Sequence, residues 1–413
     1  MRDLKRNIIL VYNKRDAILD RTRNRAHKYL QYARNKGSGV IINEVSSNQD
    51  LIFFSSLFYE ENKLSLELRL IERDGTILNR WYVKYSEIFT TPTANPEQPE
   101  DDYDVFILGA LVLPDGSVVF NIFGQGLVKL DRSSNLVWKY PGGTHHSVEL
   151  AEGGGFWVCG YNWKDQEGSI QAHPEQKQYL EDLILKISDD GELLRKISIP
   201  QLFYHSELEG LFTSMWPKAI PDGYIEISHL NTIKELPIGI ADKFPLFEPG
   251  DIGVSLRQRN MIFVMNPQTL EIKWWKQGPW IHQHEVEFMP NGKIRVFNNN
   301  FYDKFLRGKN KEEALEFPRI SNIIEIDPVT NAHKVIYGGR KGEEMFSDIN
   351  GRIQQTENGG TLVIEARNGR IFEIDSTNNI IWSYINRFDD DEILTISDAR
   401  VYPKNYFTVV EWQ

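Results

Sequence analysis

An all-β fold, a six-bladed β-propeller closed by its N- and C-terminal strands, is what this 413-residue sequence predicts, on three observations. Past residue 36 helical periodicity nearly vanishes and Gly-bearing turn signals recur at short intervals, a pattern of short strands. Six segments repeat one motif, an apolar run into an Asp-like turn and out along a second strand: Leu70 to Trp81, Val128 to Trp138, Leu185 to Arg195, Phe263 to Trp274, Ile324 to Val335 and Phe372 to Trp382. Five of them follow another hairpin, with turns at Pro114-Asp115-Gly116, Glu152-Gly153-Gly154, Pro221-Asp222-Gly223, Pro290-Asn291-Gly292 and Glu357-Asn358-Gly359, so two hairpins make one four-stranded blade.

Residues 1–36 form a separate basic segment, with eleven Lys/Arg against Asp3, Asp16 and Asp20. Ile18, Leu19, Ala26, Tyr29, Leu30 and Ala33 give it one apolar helical face between Asp16 and Arg34, suited to lying across the domain or against a membrane surface. Residues 37–413 are the propeller. The repeat count closes if a final hairpin, Asp398 to Trp412 around Pro403-Lys404-Asn405, pairs with residues 51–83, which leaves no sheet edge open at the seam. The acidic, Pro-rich stretch Thr91 to Asp104 is then the connection out of the closing blade. In four repeats an aromatic or cationic residue falls seven positions after the turn residue: Asp74/Trp81, Asp131/Trp138, Ser188/Arg195 and Asp375/Trp382. Three insertions, Asn162 to Glu181, Glu235 to Pro249 and Phe301 to Pro318, are long for hairpin loops and are expected to rim the channel.

Composition removes several function classes. A net charge of -11 argues against a nucleic-acid binder held by a basic surface. With Cys159 the one cysteine, no intramolecular disulfide forms and a Cys-based zinc site is excluded. No run approaches the roughly 18 apolar residues that span a bilayer, and Ile8 to Val11 is too short for the apolar region of a signal peptide, so the sequence as written reads as soluble. No phosphate-loop pattern and no Gly-x-Ser-x-Gly element occurs, and neither a cofactor nor a metal is expected.

The repeat also serves as a ruler. Eight residues before each inner turn, the blades place Leu108, His146, Met215, His284, Gly351 and Ser397, which should face one central channel. His284 opens the first strand of a hairpin in which Val286 and Phe288 alternate before Asn291-Gly292, and Ile294 and Val296 after it. Six residues after each turn stand Ile122, Gly160, His229, Asn298 and Glu365, which puts a third histidine at the channel end of a neighbouring strand.

Four motifs then stand in order: His145-His146-Ser147-Val148, His229-Leu230-Asn231-Thr232-Ile233, Ser255-Leu256-Arg257 through Val264, and Gln283-His284-Glu285-Val286 through Gly292. With Ser347 to Arg352 and Gly369 to Asp375 they resemble the bacterial arylsulfate sulfotransferase family, over residues 105 to 385. The resemblance implies a six-bladed propeller that moves a sulfuryl group from an aryl sulfate to a phenol, independently of a nucleotide sulfate donor, by a ping-pong route through a sulfohistidine. It also implies a periplasmic or otherwise extracytoplasmic location. Carried over by position, His284 matches the nucleophile, His146 and His229 the flanking histidines, and Arg257 the arginine of the third motif. His145 competes with His146, Arg259 competes with Arg257, and Ser147 stands where many relatives carry an Asp. Asn231, Asn298 and Trp280 are the expected substrate contacts, the tryptophan through stacking.

These residue types suit that chemistry. A neutral imidazole is a competent nucleophile, and a nitrogen–sulfur intermediate splits one difficult transfer into two. Planar Arg and His donors aimed at the non-bridging oxygens stabilise a loose transition state. A phenolate leaving group, with a parent pKa of about 10, gains from a proton donor and the incoming phenol from a base; His229 or His146 suits both roles. The same three histidines also fit a zinc or copper site, and the scaffold equally fits a non-catalytic propeller that binds a ligand or partner.

Overall fold

A computed structural model describes residues 21–44, 50–93, 95, 98–165, 178–213, 225–301, 312, 318–409 and 411–412, which form a six-bladed propeller. From the axis outward, blade 1 orders Ile396–Tyr402, Leu51–Glu60, Lys63–Ile71 and Ile77–Tyr82. Blade 2 runs Ile107–Val112, Val118–Ile122, Gly126–Leu130 and Leu136–Pro141; blade 3 runs Gly143–Leu150, Phe156–Asp165, Gln178–Ile187 and Leu193–Ser198. Blade 4 is Leu230–Glu235, Ile252–Leu256, Met261–Met265 and Ile272–Gln277, and blade 5 is His284–Phe288, Ile294–Asn298, Asn322–Ile326 and His333–Gly338. Blade 6, Arg352–Gln355, Thr361–Glu365, Arg370–Ile374 and Ile380–Ile385, carries Gly39–Asn43 as a fifth, outermost strand.

Burial explains why the strands read as apolar runs. Val118–Ile122 and Ile252–Leu256 are buried at every position because a blade lies against each face, whereas the outer strand Leu136–Pro141 is exposed or half-buried throughout. The repeated Asp is an Asx turn: Asp131 Oδ1 accepts from Ser133 N and Asn135 N, both at 2.8 Å, and Asp375 Oδ1 accepts from Thr377 N and Asn379 N at 2.8 and 2.9 Å. The residue seven positions on ties one blade to the next. Trp81 Nε1 donates to Gly116 O at 3.1 Å, Trp138 Nε1 to Asp189 O at 2.8 Å, Trp382 Nε1 to Arg73 O at 2.7 Å, and Arg195 Nη2 to Gln268 O at 3.2 Å.

Three expectations need correction. The closing blade takes a single C-terminal strand, not a hairpin, because Glu61 and Asn62 adopt φ of 51° and 61° and turn Leu51–Glu60 back into Lys63–Ile71, giving three strands from the N-terminal side. Pro403 ends the last strand and Lys404–Tyr406 is a short 3-10 turn. The basic segment is helical only at 21–25 among its described residues; Leu30–Tyr32 then pairs with Glu392–Leu394, and residues 1–20 lie outside the described part. Its Ala26 and Tyr29 are fully buried, so residue 36 is no boundary. In blade 4, Met215 and the Pro221–Gly223 turn lie outside the described residues, and the innermost strand is Leu230–Glu235. His229 therefore precedes the innermost strand of its own blade and is not on a second strand.

Candidate active site

Near the axis is a cavity of about 630 Å³ bounded by His146, His229, His284 and Arg257 on one side and by Lys28, Pro99, Asp104 and Phe106 on another. The connection out of the closing blade thus borders the cavity. Deeper along the axis a cavity of about 30 Å³ touches Leu108, His146, Asn231, His284, Gly351 and Ser397, one residue from each innermost strand or its lead-in. The ruler's slot holds in five blades, and in blade 4 it belongs to Asn231.

Local backbone devices aim these side chains. The pairing of blade 3 slips between His145 and Val148, and His146 sits in this bulge at φ 48°. Its carbonyl presses on blade 2, where a Cβ added to Gly109 would lie 1.9 Å from His146 O, so only glycine fits there. His229, at φ 50°, accepts from Arg257 N at 2.9 Å while Ser228 O accepts from Gln258 N at 3.1 Å, which seats the Arg257–Arg259 turn on the histidine's backbone. Asn231 Nδ2 donates to Gln283 O at 2.8 Å and Gln283 Nε2 donates to Met261 O at 2.8 Å, locking the residue before His284.

The imidazoles form a connected set. His229 Nε2 lies 3.3 Å from His146 Nε2, His146 Nδ1 lies 2.7 Å from His145 Nδ1, and the His146 and His284 rings stack with centroids 6.0 Å apart. Asn299 fixes the tautomer of His284. Its Nδ2 donates to Ser347 O and Asn350 O, both at 2.7 Å, which leaves Oδ1 facing His284 Nδ1 at 2.7 Å. That nitrogen must then carry the proton, and Nε2 keeps its lone pair. Burial, then the nearby Arg257 guanidinium, holds His284 well below the usual histidine range; burial, then His229, does the same for His146. Both are neutral at pH 7. Burial pushes the Glu226 carboxyl up, but His229 Nδ1 at 2.7 Å from Oε1, aided by Arg257, outweighs it and brings the group to about 2.

Beneath the histidines the same strands carry buried charge. Glu149 pairs with Arg352, with Arg400 at 2.8 Å and with Lys234 at 3.3 Å; Lys234 also meets Glu287 at 3.1 Å, and Arg352 meets Asp398 at 3.3 Å.

Several expectations resolve. Arg259 is buried and donates from Nε to Ile227 O at 2.8 Å, whereas Arg257 borders the cavity. His145 stands behind His146 rather than on the cavity wall. Ser147 Oγ accepts from Ile233 N at 3.0 Å and so braces blade 3 against blade 4. Two substrate contacts are corrected. Trp280 is 2% exposed and donates from Nε1 to Asn260 O at 2.7 Å, so it packs the blade 4–5 seam. Asn298 is 2% exposed, its Oδ1 accepting from Ile281 N at 2.9 Å and Asn300 N at 3.0 Å, so it clips the loop before His284. Glu226 and His282 are the additions. His282, at φ 54°, donates from N to Asn260 Oδ1 at 2.8 Å, and burial with Arg257 lowers its ring to about 3. Asn299 is the middle of the run Asn298-Asn299-Asn300, a candidate for substrate hydrogen bonding in the sequence, and here its side chain holds His284 instead.

A Bacteroides caccae protein of unknown function superposes with a TM-score of 0.51 at 12% identity, covering 86% of this chain and all 100% of its own. Virginiamycin B lyase from Staphylococcus aureus gives 0.39 at 12% identity over 72% and 84% of the two chains, and a nidogen/laminin complex gives 0.43 at 9% over 82% and 94%. A sequence search of curated proteins returned no match. A family model described as Arylsulfotransferase (ASST) matches residues 109–387, a span that contains His145, His146, Glu226, His229, Arg257, His284 and Asn299, and the chain belongs to that family.

Proposed function

We propose that the chain transfers a sulfuryl group from an aryl sulfate donor to a phenolic acceptor by a ping-pong route, with His284 as nucleophile. The observation that carries this reading is the Asn299–His284 hydrogen bond of 2.7 Å, which leaves an unprotonated Nε2 on a ring that borders the cavity beside Arg257, His146 and His229. In the first half-reaction His284 Nε2 bonds to sulfur as the sulfur–oxygen bond to the aryl group breaks. The ring then carries positive charge, which the Asn299 oxygen stabilises through the Nδ1 proton. Arg257 and the N–H groups of the flanking histidines balance the charge on the non-bridging oxygens. In the second half-reaction the acceptor phenol loses its proton, attacks sulfur and frees Nε2.

A second reading, a metal centre, is favoured by one observation: His146, His229 and His284 each offer a nitrogen within 4.8 Å of the others. One assay separates the two. Purified protein is given a chromogenic aryl sulfate and a phenol, with and without chelator, as wild type and as His284→Asn. Transfer that survives chelation and falls by roughly 10⁴-fold or more in the variant supports the sulfohistidine route. Absence of turnover and of any sulfuryl adduct in the wild type, across several donors, would sink it, and metal in the purified protein with chelator-sensitive activity favours the second reading.

A further inference from the structure

We infer that Glu226 positions His229 as the group that holds the proton between the two half-reactions, an assignment that rests on the transfer reading above. The carboxylate reaches its place through structure that no blade requires. After the helices Ile199–His205 and Glu209–Thr213, the chain returns as the two-residue strand Ile225–Glu226, which pairs in parallel with blade 3, Tyr179 opposite Ile225 and Leu180 opposite Glu226. This bridge sets Glu226 Oε1 2.7 Å from His229 Nδ1, while the backbone of His229 is clamped by Arg257 N at 2.9 Å. The ring is held from both ends, and Nε2 lies at the cavity, 3.3 Å from His146 Nε2.

A carboxylate oxygen 2.7 Å from His229 Nδ1 favours a proton on that nitrogen, which leaves Nε2 as the nitrogen that exchanges one with the substrate. When the donor's sulfur–oxygen bond breaks, that proton passes from His229 Nε2 to the departing aryl oxygen, and the donor leaves as a neutral phenol. His229 is then a neutral base. In the return step the acceptor's O–H proton moves to Nε2 as its oxygen bonds to the sulfur of sulfo-His284 and the nitrogen–sulfur bond breaks. No proton is gained or lost over the cycle. His146 suits this role less well, because its Nδ1 faces another imidazole, His145, at 2.7 Å rather than a carboxylate. The Glu226 carboxylate matters most when the leaving oxygen is strongly basic, since a proton is then needed earliest.

The test is the leaving-group dependence of the first half-reaction in wild type, Glu226→Gln and Glu226→Asp, with donors running from nitrophenyl sulfates to phenyl sulfate. Phenol release in the first turnover is the readout. The assignment predicts that Glu226→Gln loses roughly 10²-fold or more with phenyl sulfate and less than about tenfold with a nitrophenyl donor, so that its rate falls more steeply with phenol pKa than the wild type's. Glu226→Asp should lie between. An equal loss on every donor marks a merely structural role and overturns the assignment, as does no loss on any. Failure of the wild type to transfer from every donor overturns the transfer reading together with this one, whereas a transferring wild type beside an unchanged slope overturns this assignment alone.

Discussion

The innermost strands carry two layers of side chains that solve opposite problems. At the slot stand His146, Asn231 and His284; three residues on, the same strands place Glu149, Lys234 and Glu287, joined by Arg400 three residues after Ser397. In the deeper layer each buried charge meets an opposite one: Arg352 and then Arg400 draw the Glu149 carboxyl well below the usual range against the burial that pushes it up. In the upper layer burial, joined by Arg257 at His284 and by His229 at His146, keeps these two imidazoles uncharged, so their lone pairs are available for chemistry. Charge is used for holding in one layer and withheld in the other.

Breaking the deeper layer should have the largest effect on stability. Glu149→Gln removes the carboxylate that Arg352, Arg400 and Lys234 all meet and leaves the two arginines sharing only Asp398, and chemical denaturation should show a loss of about 3–5 kcal/mol. In the upper layer Asn299→Leu removes the acceptor that fixes the His284 tautomer. Its kcat should drop by about 10²-fold, with a denaturation midpoint that moves far less than in Glu149→Gln.

The smallest effect is set by pH. His145 and His282, lowered to about 4 and about 3, bind their protons less readily folded than unfolded. The unfolded chain therefore takes up more protons below the ordinary histidine value, and these groups cost stability as pH falls through about 6.5. Asp182 and Glu285, both raised to about 7 mainly by burial, act the other way: their contribution is present at low pH and is lost as pH rises from about 4 through 7. His282→Gln should flatten the acid limb, gaining about 1–2 kcal/mol on wild type at pH 5 relative to pH 7.5 in urea titrations. An unchanged acid limb would show that His282 binds its proton as readily in the fold as in the unfolded chain.

Much of the ring was legible because its repeat is chemical. An Asx-turn Asp followed by an indole or guanidinium that ties to the next blade leaves a mark in the sequence at Asp131/Trp138 and Asp375/Trp382. The slot was legible for the same reason at Leu108, His146, His284, Gly351 and Ser397. Blade 4 misled the ruler because the tight turn between its first two strands is replaced by the long connection between Glu235 and Ile252, while Pro221-Asp222-Gly223 upstream imitates an inner turn. Glu226 and the role of Asn299 left almost no signal. One acts through a two-residue parallel bridge and the other through carbonyls of residues 347 and 350, and neither relation has a spacing that a single sequence reveals.

The seam of blade 1 has a consequence for the order in which the chain matures. Ile396–Tyr402 supplies the inner edge for Leu51–Glu60, whose residues from Leu51 to Phe58 are all buried in the finished ring. During synthesis Leu51–Glu60 can pair at once with Lys63–Ile71, but its other edge stays open while the intervening five blades are translated. The ring's most vulnerable moment is therefore just before completion, and the last strand acts as the latch that ends a window for intermolecular sheet growth.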